Sequence, residues 1–454
     1  AANLGIGVVH QHSTLIPSFT VLENLLLGER GLRLDRTQGL ARLEELSELL
    51  GANIDPNART SELGLGQQQQ VEIAKALWKG GRLLILDEPT SMLTPQAIEH
   101  LAASIEGLKA QGLAVVLVTH KLREAFAMGD CVTVLRGGRN AAHISEAELS
   151  AMTEGEAQRR ILEAMFGGEL AELQGQASAA ELAGAAEPAR DVAKLGLTTR
   201  PARLVLQGVS TKGRGGDTDI AEVSLTVREG EILGVAGIDG HGQAALAEAI
   251  AGQRAISSGR ILLEGQDIGG LGVRSRRKLG VRYVTDDRLH EGTVGSLSVA
   301  LNLVLKRIGQ RPFWRFGQIN QRAITDAARA QIAEYGIRTP SPETRVGTLS
   351  GGNIQKILLA RELEGDARLV VVNKPTSGLD LKTVRRVRSV LRDFADGGGS
   401  VLLLSTELDE LIELSHRITV LSRGRTVGTV ENDGTGVAER VGTYMAGAVA
   451  GEQR

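Results

Sequence analysis

The residues best able to do chemistry stand at the ends of short apolar runs. Leu83–Leu86 is followed at once by Asp87 and Glu88. Two adjacent carboxylates at the carboxyl end of a buried strand are costly to desolvate unless something uses them. The pair suits divalent-cation chemistry, with Asp87 as a ligand for Mg2+ and Glu88 as the group that polarises an attacking water. The alternative is a pair of acids that caps the following helix. His120 follows the run Val115–Val118 after one intervening residue, Thr119, and Gln11 follows Gly7-Val8-Val9 in the same way. An imidazole at such a strand end could reach a terminal phosphate, and a neutral amide could orient the metal or the water. Two glycine-bearing stretches could hold phosphate. Leu349-Ser350-Gly351-Gly352-Asn353 opens a helical stretch, where glycines allow close backbone approach and a helix N-terminus favours anions. Gly237-Ile238-Asp239-Gly240-His241-Gly242-Gln243-Ala244-Ala245 lies between the expected strand Glu231–Ala236 and a helical stretch, the context of a phosphate-binding loop.

The elements that must position these groups occur twice. Leu63-Gly64-Leu65-Gly66-Gln67 recurs as Leu349–Asn353, Asp87-Glu88-Pro89-Thr90-Ser91 as Asn373-Lys374-Pro375-Thr376-Ser377, and Val115–His120 as Val401–Thr406, all at an offset of 286 residues. A constant offset over so long a stretch means two copies of one domain. Thr20, Val21 and Asn24 match Ser298, Val299 and Asn302 at a smaller offset, so the second copy carries an insertion, expected near Gln310–Gln318. The runs Leu83–Leu86, Val115–Val118, Leu369–Val372 and Val401–Leu404 are short and uniformly apolar. They read as parallel strands buried on both faces with helices between them, an α/β architecture. Arg417–Leu421 and Thr426–Val430, split by Arg423-Gly424, predict a terminal hairpin. The expected domains are 1–166 and 203–454, with an Ala-, Gly- and Glu-rich linker over 167–202. The first copy has no counterpart of Leu204–Lys278, so the sequence is expected to begin inside a domain. A phosphate loop is expected roughly 40 residues before Ala1, and without it this polypeptide is expected to be weak or inactive in phosphate chemistry.

Composition narrows the partners. The chain has 454 residues, room for two or three domains. A net charge of −2 argues against a general nucleic-acid binder, and 2% aromatic residues leave little for base-stacking platforms. The single cysteine, Cys131, has no internal partner, which fits a reducing compartment. No apolar run approaches the ~18–20 residues needed to span a bilayer, so any work at a membrane requires docking on a partner.

With LLILDEPTSMLTP, VTHKL, LSGGNIQK, the Gly237–Ala245 loop and VHQH in place, the chain resembles the ATPase subunit of bacterial ABC importers in which two nucleotide-binding domains are fused. The resemblance covers nearly the whole chain. It implies two tandem ABC-type domains of P-loop NTPase fold, ATP and Mg2+ as cofactors, and hydrolysis that powers import of a nucleoside or simple sugar. It also implies transmembrane permease subunits as partners, with a substrate-binding lipoprotein or periplasmic protein acting through them and no nucleic acid. The subunit is expected at the cytoplasmic face of the cell membrane. VHQHSTLIPSFTVLENLLLG most resembles the nucleoside class. A ribose-, galactose- or xylose-type importer and a non-transport ABC ATPase are the alternatives.

The resemblance further implies that each ATP lies between the phosphate loop of one domain and the signature segment of the other. Ser350, Gly351, Gly352 and Asn353 are then ATP-binding residues, as are Gly237, Gly240, Gly242 and Gln243. Yet the lysine position of the second loop holds Gln243, and the position of the metal-binding hydroxyl holds Ala244. Asn373 and Lys374 replace the acid pair, Thr406 the histidine and Asp286 the glutamine. Lys374 cannot act as a base near neutral pH without a large fall in pKa. The first signature is also altered, with Gly64 where serine is expected. The good signature, Ser350–Asn353, therefore pairs with the good set, Gln11, Asp87, Glu88 and His120. One composite site is expected to hydrolyse ATP and the other is degenerate.

Overall fold

A computed structural model describes residues 4–10, 13–27, 35–63, 65–90, 93, 95–119, 121–136, 138–166, 199–212, 218–238, 240–315, 317–434 and 436–445. The chain divides into two compact units, Ala1–Glu187 and Pro188–Arg454.

In the first unit, strands β1 (Ile6–Val9), β2 (Leu83–Asp87) and β3 (Ala114–Val118) form a parallel sheet in that order, while β4 (Val132–Arg136) and β5 (Arg139–Ile144) form a separate hairpin. Helices Arg36–Leu50, Leu65–Leu77 and Pro95–Ala110 cover one face. Their Leu43, Leu46, Val71, Ile73, Leu101 and Ile105 pack with Val9, Leu84 and Leu86 of the sheet. Gly7 has to be glycine here, because a Cβ would lie 2.6 Å from the Ala76 carbonyl oxygen on the helix crossing above it.

The second unit is fuller. Strands β6 (Ala202–Thr211), β7 (Val223–Arg228), β9 (Ile256–Leu263) and β10 (Gln266–Asp267) make an antiparallel sheet in the order β10-β9-β6-β7. A six-stranded sheet runs β11 (Val281–Val284), β14 (Leu369–Asn373), β15 (Ser400–Ser405), β8 (Ile232–Ala236), β16 (Arg417–Ser422), β17 (Arg425–Glu431). All but β17 are parallel. The hairpin β16–β17 is the one read from the sequence. Between β11 and β14 in chain order, β12 (Trp314–Arg315) and β13 (Gln318–Ile319) form a small hairpin within the inserted stretch. Helix Gln243–Ala251 and the antiparallel sheet cover one face of the large sheet, and helices Leu381–Asp396 and Leu408–Leu414 cover the other. Leu381–Asp396 starts where the Asp380 side chain accepts from Thr383 N. It buries Val384, Val387, Leu391 and Ala395, a helical stripe. Strands β14 and β15 are buried throughout, as their unbroken apolar sequence requires.

The repeat holds in three dimensions. Ile6 pairs with Leu83 and Val9 with Leu86 in the first unit, and Val281 pairs with Leu369 and Val284 with Val372 in the second. One expectation needs correction. Strands β2 and β3 are not buried on both faces: Leu83 and Ile85 on β2 are only partly buried, Val116 and Val118 on β3 are 46% and 47% exposed, and Leu135 on β4 is 73% exposed. Their neighbours differ. In the second unit, Leu402 and Leu404 lie in the core formed with helix Gln243–Ala251, and β8 fills the place between β15 and β16. Among the described residues of the first unit, no strand joins β3 to β4 and no helix covers that face.

Candidate active site

Strand β2 delivers Asp87, half-buried, at its carboxyl end. The next residue, Glu88, adopts φ 46°, a left-handed conformation that is uncommon for a residue with a side chain and that gathers at functional turns. Its N–H donates to the Val118 carbonyl at 2.8 Å. Lys374 repeats this geometry in the second unit, with φ 43° and an N–H donating to the Leu404 carbonyl at 2.8 Å. The turn is one structure carrying opposite charges. The neighbouring strand β3 runs on into Thr119, so the acid turn and the loop that leads to His120 lie side by side.

Each turn is braced by a buried carboxylate that the sequence reading missed. Glu124 accepts from the hydroxyls of Thr90 and Thr119, the latter at 2.8 Å, and Lys121 Nζ stands 3.4 Å away. In the second unit Glu410 accepts from Thr376 Oγ1 at 2.6 Å and from Ser405 Oγ at 2.7 Å. Burial pushes the Glu410 carboxyl up to about 7, against the pull of Arg388 and with the help of Glu407. A second missed group is Glu72 on helix Leu65–Leu77. It accepts from Ser13 Oγ at 2.8 Å, Thr14 Oγ1 at 3.0 Å and Leu15 N at 3.2 Å. The segment just after Gln11 is thereby fastened to the signature helix. Gln11 and His120 themselves, with Gly64, lie outside the described residues.

In the second unit the carboxyl ends of β8, β14 and β15 converge, the place where parallel sheets bind ligands. The loop after β8 turns through Gly240 (φ 79°) and Gly242 (φ 103°) into helix Gln243–Ala251. Gln243 is only 4% exposed. Its Nε2 donates to the Ile238 carbonyl at 2.9 Å and crowds Gly237, where a Cβ would lie 2.5 Å from it. The hairpin β16–β17 closes on the same loop, with Gly424 N donating to the His241 carbonyl at 2.9 Å. Asp286 falls two residues beyond β11, as Gln11 does beyond β1, and its Oδ2 lies 3.7 Å from Lys374 Nζ.

The signature segment is built for contact. Ser350 is exposed at the N-cap position of helix Gly351–Leu363, and its side chain makes no capping bond to the helix backbone. Asn353 Nδ2 donates to Ser350 Oγ at 3.0 Å, while Asn353 Oδ1 accepts from Arg338 N at 2.8 Å. Gly351 is exposed and Gly352 buried, a Cβ on the latter being 2.9 Å from Thr383 Oγ1. Of the residues read as ATP-binding, the second unit thus brings Ser350–Asn353 to one helix start and Gly237–Gln243 to one loop. Asp87 and Glu88 belong to the first unit.

The two units differ in their fit to Mg2+. In the first, the half-buried Asp87 carboxylate at a strand end is a suitable hard oxygen donor. In the second, Asn373 is 1% exposed with an Oδ1 that has no hydrogen-bond partner, Ala244 has no side-chain oxygen, and Lys374 brings a cation. That set does not suit a divalent metal.

Parallel strands that end on a glycine loop, an acid turn and a signature helix define a P-loop nucleotide-binding cassette. The ABC transporter family profile matches the chain at residues 1–91 and 220–377. The nucleoside import ATP-binding protein NupA of Lactococcus lactis subsp. cremoris is 36% identical over 450 residues, covering 98% of this chain and 84% of that protein. The glucose import ATP-binding protein TsgD13 of Haloferax volcanii is also 36% identical, covering 100% of this chain and 84% of its own. The guanosine import ATP-binding protein NupO of Bacillus subtilis is 34% identical over 100% of this chain and 84% of its own length. The chain belongs to the ABC transporter family of ATP-binding, ATP-hydrolysing proteins. Among its described residues no helix is long and apolar enough to cross a membrane.

Proposed function

We propose that this chain powers import of a nucleoside or simple sugar by hydrolysing ATP, docked on permease subunits at the cytoplasmic face of the membrane. A substrate-binding lipoprotein or periplasmic protein delivers the cargo. The working parts are cassettes at 1–166 and 203–454, joined by 167–202. The observation that carries this reading is the pair of like turns at Glu88 and Lys374, one with the chemistry of hydrolysis and one without it. Glu88 accepts a hydrogen bond from the attacking water and orients it. Asp87 and Gln11 hold Mg2+, which when bound would neutralise charge on the phosphates. His120 contacts the terminal phosphate. Ser350, Gly351, Gly352 and Asn353 present their helix N-terminus to nucleotide phosphate. Gly237, Gly240, Gly242 and Gln243 form the loop of the degenerate site. The open edges of β3 and β4, with Val116, Val118 and Leu135 exposed, leave room for a further strand in the place that β8 takes in the second unit.

In the full-length protein, Glu88→Gln is expected to lower ATP turnover by about 10²–10⁴ while ATP binding persists. Phosphate release at the wild-type rate would overturn the assignment. A nucleoside cargo is favoured by the likeness to NupA and NupO, and a sugar cargo by the likeness to TsgD13. Uptake of labelled adenosine against labelled ribose and glucose, in cells with and without the gene, distinguishes them.

A further inference from the structure

We propose that Glu124 is a positioning residue for hydrolysis, holding the turn that carries Glu88 and the loop that carries His120 as one body. The inference rests on the reading of Glu88 as the water-orienting group. Glu124 is 6% exposed, on helix Leu122–Met128. One carboxylate oxygen accepts from Thr90, two residues after Glu88, and the other accepts from Thr119, the residue before His120. The backbone bond from Glu88 N to the Val118 carbonyl closes the same ring from the other side. Thr119 Oγ1 also accepts from Lys121 N at 3.0 Å, so the loop on either side of His120 hangs from one hydroxyl. Both carboxylate oxygens are spent on the two segments, and neither segment can shift without breaking a hydrogen bond to Glu124.

The second unit separates this role from mere packing. Thr376, Ser405 and Glu410 make the same bracket, and Glu407 N donates to Ser405 Oγ at 3.1 Å as Lys121 N does to Thr119. There the bracket holds Lys374 and leads to Thr406, which have no hydrolytic chemistry. Loss of either carboxylate removes the same contacts, but only one of them sits behind a water-orienting group.

The test uses the full-length protein with its permease, measuring ATP hydrolysis against ATP concentration and thermal melting for each variant. Glu124→Ala is expected to lower kcat by about 10²-fold, the cost of misplacing a catalytic group by about an ångström, with KM for ATP little changed. Glu124→Gln should recover most of the rate, because an amide can accept from one threonine and donate to the other. Glu410→Ala should melt earlier, as Glu124→Ala does, and keep the wild-type kcat. Thr119→Val, which removes one hydroxyl without changing shape, should lower kcat on its own and decides the matter should Glu124→Ala fail to fold. A wild-type kcat in Glu124→Ala or Thr119→Val, an equal kcat loss in Glu410→Ala, or a Glu124→Gln variant as slow as Glu124→Ala would each overturn the proposal. Glu88→Gln measured alongside distinguishes the two levels. If it too retains turnover, the reading of Glu88 is at fault; if it alone abolishes turnover, only the bracket is.

Discussion

At Glu88 and Lys374 the backbone is the same and the charge is reversed, so the side chain alone decides what each turn can do. Lys374 has a partner in Asp286, and the pair occupies the places that hold Glu88 and Gln11 in the first copy. Ser350 is the residue at which the proposed ATP contact of the signature segment is most open to test. Its hydroxyl stands at the open start of helix Gly351–Leu363, supported by Asn353. Removing one phosphate donor from a preorganised site costs about 10²–10³ in rate, so Ser350→Ala is expected to slow phosphate release by that order. Gly64→Ser should change little, because Asn373, Lys374, Gln243 and Ala244 still lack a base and metal ligands. Steady-state kinetics on both variants checks the rule, and a silent Ser350→Ala would contradict it.

Among the elements, helix Gly351–Leu363 carries a buried ion cluster at its carboxyl end. Glu362 is fully buried near its end and meets Arg277 at 2.6 Å, Arg361 at 2.8 Å and Lys306 at 2.9 Å. Burial alone would raise its carboxyl, but Lys306, Arg361 and Arg277 outweigh it and bring it down from 4.5 to about 2. Such a depressed folded-state value gives stability that is present above the ordinary 4.5 and is lost as pH falls toward about 2. Glu362→Ala leaves three cations without their counter-charge. It is expected to cost about 3–5 kcal/mol near neutral pH, and the gap from wild type should narrow in melts taken between about pH 4 and pH 3. An equal gap at both ends would show that the cluster acts by packing alone.

For the whole molecule, transport requires that nucleotide chemistry move a membrane partner. The segments that follow Gln11 and Asp286, roughly Ser13–Asn24 and Arg288–Asn302, are expected to receive the membrane partner. Asn24 and Asn302 hold them alike, accepting from Ile16 N at 2.7 Å and from Val294 N at 2.9 Å. Glu72 and Lys75 fasten the first segment to its signature helix. Both segments leave residues outward, including Pro17, Ser18, Leu289 and Val294. With Cys131 replaced, cysteines at Ser18 and Leu289 are expected to cross-link to the permease across an interface on the order of 1,000 Å² or more. Cross-links found only on the 427–454 tail would place the coupling elsewhere.

The amino-acid sequence by itself determined the repeat, the α/β class, the acid turn and the loss of chemistry at Asn373, Lys374, Gln243 and Ala244. These are legible because strand runs, glycine loops and charged residues at strand ends are local patterns with a fixed spacing. The exposure of β3 was not legible, because burial depends on what lies across the sheet, and Val116 and Leu402 look alike in a run of apolar residues. Nor was Glu124. Its partners lie 34 and 5 residues away, and only the packing of helix Leu122–Met128 beneath two adjacent strand ends turns an ordinary helical acid into the brace between them. The same holds for Glu72 and Glu362, whose partners reach them from other elements. A long-range hydrogen bond leaves no periodicity in sequence, so tertiary structure alone decided which carboxylates were spent on holding neighbouring segments in place.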